Sequence, residues 1–143
     1  MQKLQDIAVR VEAKESSEST VDHANAKPVM HEVLHALKRL KERGEVTTID
    51  LKSMPFGPGD EEALLSYLGC GEVTIELQSL GKSRICETFY PGVWLVDHYN
   101  ATGDRIALSI EINRVPEIVR SQTEDISHAI TRLEQQLNPD STA

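Results

Sequence analysis

The chain has 143 residues, enough for one hydrophobic core and short for two. Its 15 Lys and Arg stand against 23 Asp and Glu, a formal net charge of -8 that repels nucleic-acid phosphates and anionic lipid. No apolar run reaches the roughly 18 residues a membrane span needs and nothing at the start resembles a secretory signal, so membrane insertion is not expected and the expected compartment is the cytoplasm.

Residues 1–26 begin with weak alternation over Ile7, Val9 and Val11, which suits an edge strand at 4–11, and pass into a Ser- and Glu-rich run. They are expected to form a flexible arm, because their few apolar side chains cannot offset about 1 to 2 kcal/mol of backbone entropy per ordered residue. A single domain is expected over 27–138, with 139–143 frayed. Pro28 opens a helix whose stripe is Met30, Val33, Leu34, Leu37 and Leu40. Its basic last turn, KRLKER at 38–43, is the chain's only dense cationic run and reads as a solvated helix face closed by Gly44.

EVTTIDL at 45–51 has the β-branched content of a strand, and Pro55 and Pro58 end it. Asp60 is a credible N-cap for a short helix that buries Ala63, Leu64, Tyr67 and Leu68 and stops at Gly69.

Glu72 to Gln78 alternates, with Val73, Ile75 and Leu77 on one face. The return strand, Ser83 to Phe89, puts Ile85, Glu87 and Phe89 on one side. A three-residue loop over Leu80 to Lys82 aligns Leu77 with Ile85, Ile75 with Glu87 and Val73 with Phe89, whereas a two-residue loop brings Arg84 and Cys86 opposite the apolar residues. The longer loop is preferred, at the cost of a carboxylate at or near the buried face. Pro91-Gly92 breaks the chain before the strand Val93 to Tyr99. A hairpin loop at Asn100 to Asp104 leads into Arg105 to Ile112, with Ile106, Leu108, Ile110 and Ile112 inward. Pro116 opens a short helix, and Ser121 with Glu124 has capping-box spacing ahead of a second amphipathic helix through Ile126, Ala129, Ile130, Leu133 and Leu137. The expected architecture is α+β: an antiparallel sheet of four or five strands with the Pro28 and Ile126 helices packed on it.

Four groups of residues could carry chemistry. His31-Glu32-Val33-Leu34-His35 is a literal HExxH, which on a helix sets two histidines on one face as zinc ligands with Glu32 as base. Both histidines lie away from the centre of the apolar stripe, and a third ligand would have to come from afar, from Asp97, His98 or His128, so a solvated face is the preferred reading. Cys70 and Cys86 form neither a CxxC pair nor a disulfide framework, and no activating motif surrounds them. His98 has no serine or cysteine paired with it by motif. Glu87, between Ile85 and Phe89, must be hydrogen-bonded or near an edge. Trp94 suits a core position and an interface anchor equally.

From Val29 to Leu137 the chain resembles the C-terminal conserved region of hydrogenase expression/formation proteins of the HupH/HyaF type. The resemblance is carried by Ile49-Asp50-Leu51, Met54-Pro55 followed by Asp60, Leu64 and Leu68-Gly69-x-Gly71-Glu72-Val73. It continues through Gly81, Ile85-x-Glu87-Thr88, Pro91-Gly92-Val93-Trp94 and His98, and ends with Val115-Pro116-Glu117 and Ser121-Gln122-x-Glu124-Asp125-Ile126.

It implies a cytoplasmic accessory protein for assembly of a nickel-iron uptake hydrogenase, with no established reaction and no cofactor of its own. The partner it implies is a hydrogenase subunit, the small iron-sulfur subunit first, or another maturation factor. Glu87, Thr88, Pro91, Gly92, Trp94 and His98 are the positions it marks for a partner-binding surface. Members of the family commonly carry an additional N-terminal portion, which makes a homo-oligomer one expectation here. The competing readings are a small zinc hydrolase using His31, Glu32 and His35, and a structural, self-associating domain.

Overall fold

The computed structural model describes residues 25–142; the expected arm and the strand at 4–11 fall almost wholly outside them. Five strands form one antiparallel sheet in the order β1-β5-β4-β3-β2. They are β1 (Thr47–Asp50), β2 (Thr74–Gln78), β3 (Lys82–Glu87), β4 (Val93–Tyr99) and β5 (Arg105–Ile112). The helices are α1 (Ala26–Arg43), α2 (Asp60–Leu68) and α3 (Thr123–Leu137), with 3-10 turns at Glu117–Val119 and Pro139–Thr142.

Strand alternation sorts the apolar residues onto two faces of the sheet. On one, Ile49, Leu51, Val93, Leu108, Ile110 and Ile112 meet Ala26, Val29, Val33, Ala36 and Leu40 of α1 and Leu64 and Leu68 of α2. On the other, Ile85, Trp94 and Val96 form a smaller cluster with Ile75, Leu77 and Val119. Each fully buried Leu or Ile contributes about 1.5 to 3 kcal/mol relative to exposure, so the larger face dominates the domain's cohesion.

The α1 stripe differs from the expected one by a rotation of the helix. Its buried residues are Ala26, Val29, Val33, Ala36 and Leu40, while Met30 and Leu37 are only partly covered and Leu34 is exposed. Two alanines on the buried line let the helix lie close to the sheet, an arrangement that counting the largest side chains overlooks. The helix also starts at Ala26, ahead of Pro28, and Gly44 N–H closes it onto Leu40 O at 2.9 Å.

The β2–β3 hairpin has a three-residue loop, but over Ser79 to Gly81, and its register is displaced by two residues. Ile75 faces Ile85, Leu77 faces Ser83 and Gln78 faces Lys82. A displacement of two preserves the side each residue occupies. It pairs Ile75 with Ile85 instead of a carboxylate, and it brings Lys82 Nζ to 3.2 Å from Glu76. Glu87 then lies opposite Val73, donating its N–H to Val73 O at 2.9 Å. Phe89 falls beyond the strand and is exposed rather than inward.

Four other expectations change. A bulge between His98 and Tyr99 interrupts the β4–β5 ladder, and Ile106 is exposed. Asp60 is the first residue of α2 rather than its cap: Gly59 holds the cap position, and the buried Asp60 carboxylate accepts from Gly57 N at 2.7 Å and from Asn25 Nδ2 at 2.8 Å. The Ser121/Glu124 capping box does not form, since Gln122 caps α3 without a side-chain bond. Moreover, α3 flanks the domain with none of its residues buried, so α1 and α2, not α3, cover the sheet.

Candidate functional site

Among the residues marked as site candidates, those from Glu87 to Trp94 converge on the turn that joins β3 to β4. Thr88, itself buried, ties the turn together: its Oγ1 accepts from Tyr90 N at 3.2 Å and donates to Tyr90 O at 3.3 Å, and its N–H reaches Val93 O at 3.0 Å. Val93 N–H closes the loop on Tyr90 O at 2.9 Å, and Phe89 N–H anchors it to Leu68 O at the end of α2 at 2.8 Å.

Gly92 has φ +91, a conformation that strains any residue with a side chain, and a Cβ there would sit 3.3 Å from Leu37 Cδ2. Its carbonyl accepts Asn113 N–H at 2.9 Å.

Asn113 is the hub that locks this turn to the end of β5. It is buried, its carbonyl accepts the Trp94 indole N–H at 3.0 Å, and its side chain joins Glu111 Oε2 at 3.1 Å and Arg114 N at 2.8 Å. Glu111 Oε2 also accepts Glu117 N–H at 2.8 Å, which ties the 3-10 turn into the same network. Trp94, only 7% exposed, therefore acts as a buried strut within the domain.

What this frame presents outward is apolar. Phe89 is 68% exposed and Tyr90 43%, with Pro91 exposed beside them. The Phe89 ring lies across Gly69, where φ is +65 and any Cβ would overlap the ring.

Next to the turn runs a groove of about 350 Å³ lined by Leu37, Leu40, Lys41, Pro91, Gly92 and Arg114. A neighbouring hollow shares Leu40 and Arg114 and adds Val46, Val115 and Arg120. Exposed aromatics therefore adjoin an apolar trough edged by cations, on a chain whose net charge is -8. Sequence reading missed Phe89, Tyr90, Lys41 and Arg114. The signal available for the aromatics was their place against the Pro91-Gly92 break.

Glu87 leads into the turn, and the other candidates lie elsewhere. Glu87 is half-buried, its main chain bonded to Gly71 and Val73. His98 sits toward the far end of β4, about 17 Å from the turn at the usual rise per strand residue, with Nδ1 2.7 Å from Ser83 Oγ. Asp97 lies on the other face of the sheet, where it forms a two-pronged pair with Arg105: Nε to Oδ1 at 2.9 Å and Nη2 to Oδ2 at 2.8 Å. These bonds hold the Arg105 guanidinium further above its ordinary pKa, and Glu61 and Tyr99 complete the cluster.

His31, Glu32 and His35 are all exposed on α1, outside its buried line. His98 and Asp97 are engaged elsewhere, and among the described residues no group of three or more His, Cys, Asp or Glu side chains could hold a metal ion. Cys70 is exposed and Cys86 half-buried in β3, both free. A concavity of about 780 Å³ opens between the β2–β3 and β4–β5 loop tips at the opposite end of the sheet and gathers none of the candidates. No described helix is long and apolar enough to cross a membrane.

The described residues thus form an α+β domain whose β3–β4 turn is tied down by hydrogen bonds and tipped with exposed aromatics. Residues 23–139 match the family model of the HupH hydrogenase expression protein, C-terminal conserved region. The chain is 36% identical over 111 residues to the hydrogenase expression/formation protein HoxQ of Azotobacter vinelandii, covering 76% of this chain and 39% of that protein. To HupQ of Azotobacter chroococcum mcd 1 it is 35% identical over 114 residues, 78% of this chain and 40% of that one.

Among solved structures it is similar to the hydrogenase expression protein HupH from Thiobacillus denitrificans ATCC 25259. That likeness has 41% identity and a TM-score of 0.77, over 80% of this chain and 96% of the other. The chain belongs to the HupH/HoxQ family of hydrogenase expression/formation proteins, through its C-terminal conserved region. It spans about two fifths of the length of the two HoxQ and HupQ relatives (39% and 40%).

Proposed function

We propose that this domain is a non-enzymatic accessory factor in hydrogenase formation, acting in the cytoplasm by transient capture of a hydrogenase subunit, the iron-sulfur small subunit first. The observation that carries this reading is the turn from Thr88 to Val93: Phe89, Tyr90 and Pro91 face outward on a frame whose buried polar atoms are satisfied from within. Such a surface enters a complex with little ordering cost, and exposed aromatics on rigid backbone are the kind of anchor that dominates interface energy. Lys41 and Arg114 at the rim favour a partner segment that pairs an apolar side chain with a carboxylate. The family names speak of hydrogenase expression and formation, which is why a hydrogenase subunit is the partner chosen. Held there, the subunit would be shielded while its clusters are inserted.

Co-purification of the full chain with hydrogenase subunits tests this. Tyr90→Ala combined with Lys41→Glu and Arg114→Glu changes exposed positions only, so the melting temperature should hold. Retained subunit is expected to fall at least about tenfold. Equal retention by the variant, or no retention by the wild type, removes the reading.

A further inference from the structure

The trough beside the β3–β4 turn carries its charge unevenly. Its two hollows share Leu40 and Arg114; Lys41 and Gly92 line the first, and Val46, Val115 and Arg120 line the second, of about 390 Å³. No Asp or Glu lines either hollow, on a chain where acidic residues outnumber basic ones by 23 to 15. Lys41 and Arg114 are exposed, and among the described residues neither side chain has an ion pair. Arg120, by contrast, holds Glu117 at 3.4 Å, and Glu111 accepts a hydrogen bond from Asn113 at the wall of the second hollow. The uncompensated positive charge is therefore concentrated at the first hollow, while the second is closer to neutral and apolar, with Val46 and Val115 48% and 47% exposed.

The end of α1 works against this field. Gly44, which closes that helix, lines the second hollow, and the last carbonyls of a helix carry about half a negative charge. Two full cations outweigh that half charge, so the first hollow stays positive.

Resting on the docking reading above, which makes the partner a protein segment, we infer that the trough selects a segment carrying one carboxylate with an apolar side chain on either side of it. The carboxylate is held by Lys41 and Arg114. One apolar side chain enters beside Leu37 and Gly92, and the other fills the hollow of Val46 and Val115. Gly92 keeps the first of these places open: a Cβ there would stand 3.3 Å from Leu37 Cδ2 and 3.6 Å from Leu40 Cδ2, in the space the ligand needs.

The two kinds of contact do different work. Apolar side chains leaving water supply affinity to acidic and neutral segments alike. The cations supply the choice between them, because a neutral segment leaves them unmatched and a basic one is repelled. Salt screens exposed pairs of this kind, so the preference for the acid should shrink with ionic strength while the apolar part persists. A fatty acid has the same two ingredients. The protein segment is favoured because the trough runs on at Pro91 into the exposed Tyr90 and Phe89, surface that lengthens the contact along a chain.

The test is an array of capped nonapeptides carrying two Leu and one Asp at every spacing in a Gly-Ser background, probed with the full chain, beside matched peptides with Asn or Lys in place of Asp. The best acidic peptide is then titrated into the isotopically labelled full chain and followed through its amide shifts. These should gather at Leu40, Gly92, Arg114 and Val115, and the Asn match should bind about tenfold more weakly, the Lys match more weakly still. Lys41→Glu with Arg114→Glu should reverse that order and prefer the Lys peptide; if its melting curve shows it misfolded, Lys41→Gln with Arg114→Gln should level acid and amide. Val46→Ser with Val115→Ser should weaken both alike. The inference is overturned if no peptide binds, if acidic peptides bind no better than their Asn matches, if the order survives removal of the cations, or if the shifts gather on another surface. Trough shifts produced by decanoate and by no peptide overturn it as well. No hydrogenase component is present in these measurements, so peptide selectivity without subunit retention removes only the choice of partner, and subunit retention without peptide selectivity removes only this inference.

Discussion

Replacing Trp94 by Phe isolates the bond that ties the turn from Thr88 to Val93 to the end of β5. The indole N–H is donated to Asn113 O at 3.0 Å, and both residues are buried, so the substitution leaves a main-chain carbonyl without its partner. An unsatisfied buried acceptor costs about 1 to 3 kcal/mol. Loss of the pyrrole part of the ring from a site bounded by Ile85 and Val96 adds the transfer energy of about two methylene equivalents, roughly 1.5 kcal/mol. The sum is about 3 kcal/mol, or a fall in melting temperature of roughly 10 °C for a domain of this size. Urea unfolding followed by far-ultraviolet circular dichroism measures it, since the variant removes the only Trp. Val96→Ala is the control: it deletes apolar volume from the same cluster without touching a hydrogen bond, and should cost about 1 to 2 kcal/mol. A Trp94→Phe loss no larger than that of the control would refute the idea that the indole bond holds Asn113 and, through it, Gly92.

Gly69→Ala should destabilise by about 2 kcal/mol, through left-handed backbone strain and displacement of the Phe89 ring; unchanged stability would mean that the ring is not seated there. Asp60→Ala removes the acceptor for Gly57 N and Asn25 Nδ2 and should cost about 2 to 3 kcal/mol in urea unfolding, with Asp60→Asn milder. Arg105→Lys loses the two-pronged grip on Asp97 but at a site open to water, so a loss below about 1 kcal/mol is expected, shrinking further in salt. Zinc titration calorimetry should show no site that disappears in His31→Ala or His35→Ala; such a site, with zinc-dependent cleavage, would restore the hydrolase reading.

Most of the sheet is legible in the sequence because its signals are local: β2, β3 and β5 follow from period-two alternation, β4 from an apolar run bounded by Pro91-Gly92 and the loop at Asn100, and β1 from its β-branched content. What alternation does not encode is long-range choice. Nothing around Thr47 announces that it pairs with Ile112, a contact decided by which edge remains open once the hairpins have formed. The β2–β3 register moved by two residues because displacement by an even number preserves the buried face, leaving only pair energies such as Ile75 with Ile85 to decide. The α1 face was misjudged where Ala26 and Ala36, small but fully buried, outrank Leu34 in proximity to the sheet. At the candidate site, the family-like residues were visible as a group, but their division into buried and exposed positions was not. Thr88 and Trp94 prove interior and Pro91 exposed because the hydrogen bonds to Tyr90 and Asn113, remote from one another in sequence, fix which atoms face inward. Similarly, an amphipathic pattern in α3 reports that a face seeks cover without saying whether that cover is the sheet.

The margins of the sheet carry a consequence for how the domain meets other proteins. Its two outer strands, β1 and β2, have only four and five residues, and each carries a carboxylate, Asp50 on one and Glu76 on the other. Short, charged borders are poor templates for a foreign strand. Recognition by backbone zippering is thereby discouraged, which leaves side-chain contact as the readier way for another protein to meet the sheet's margins.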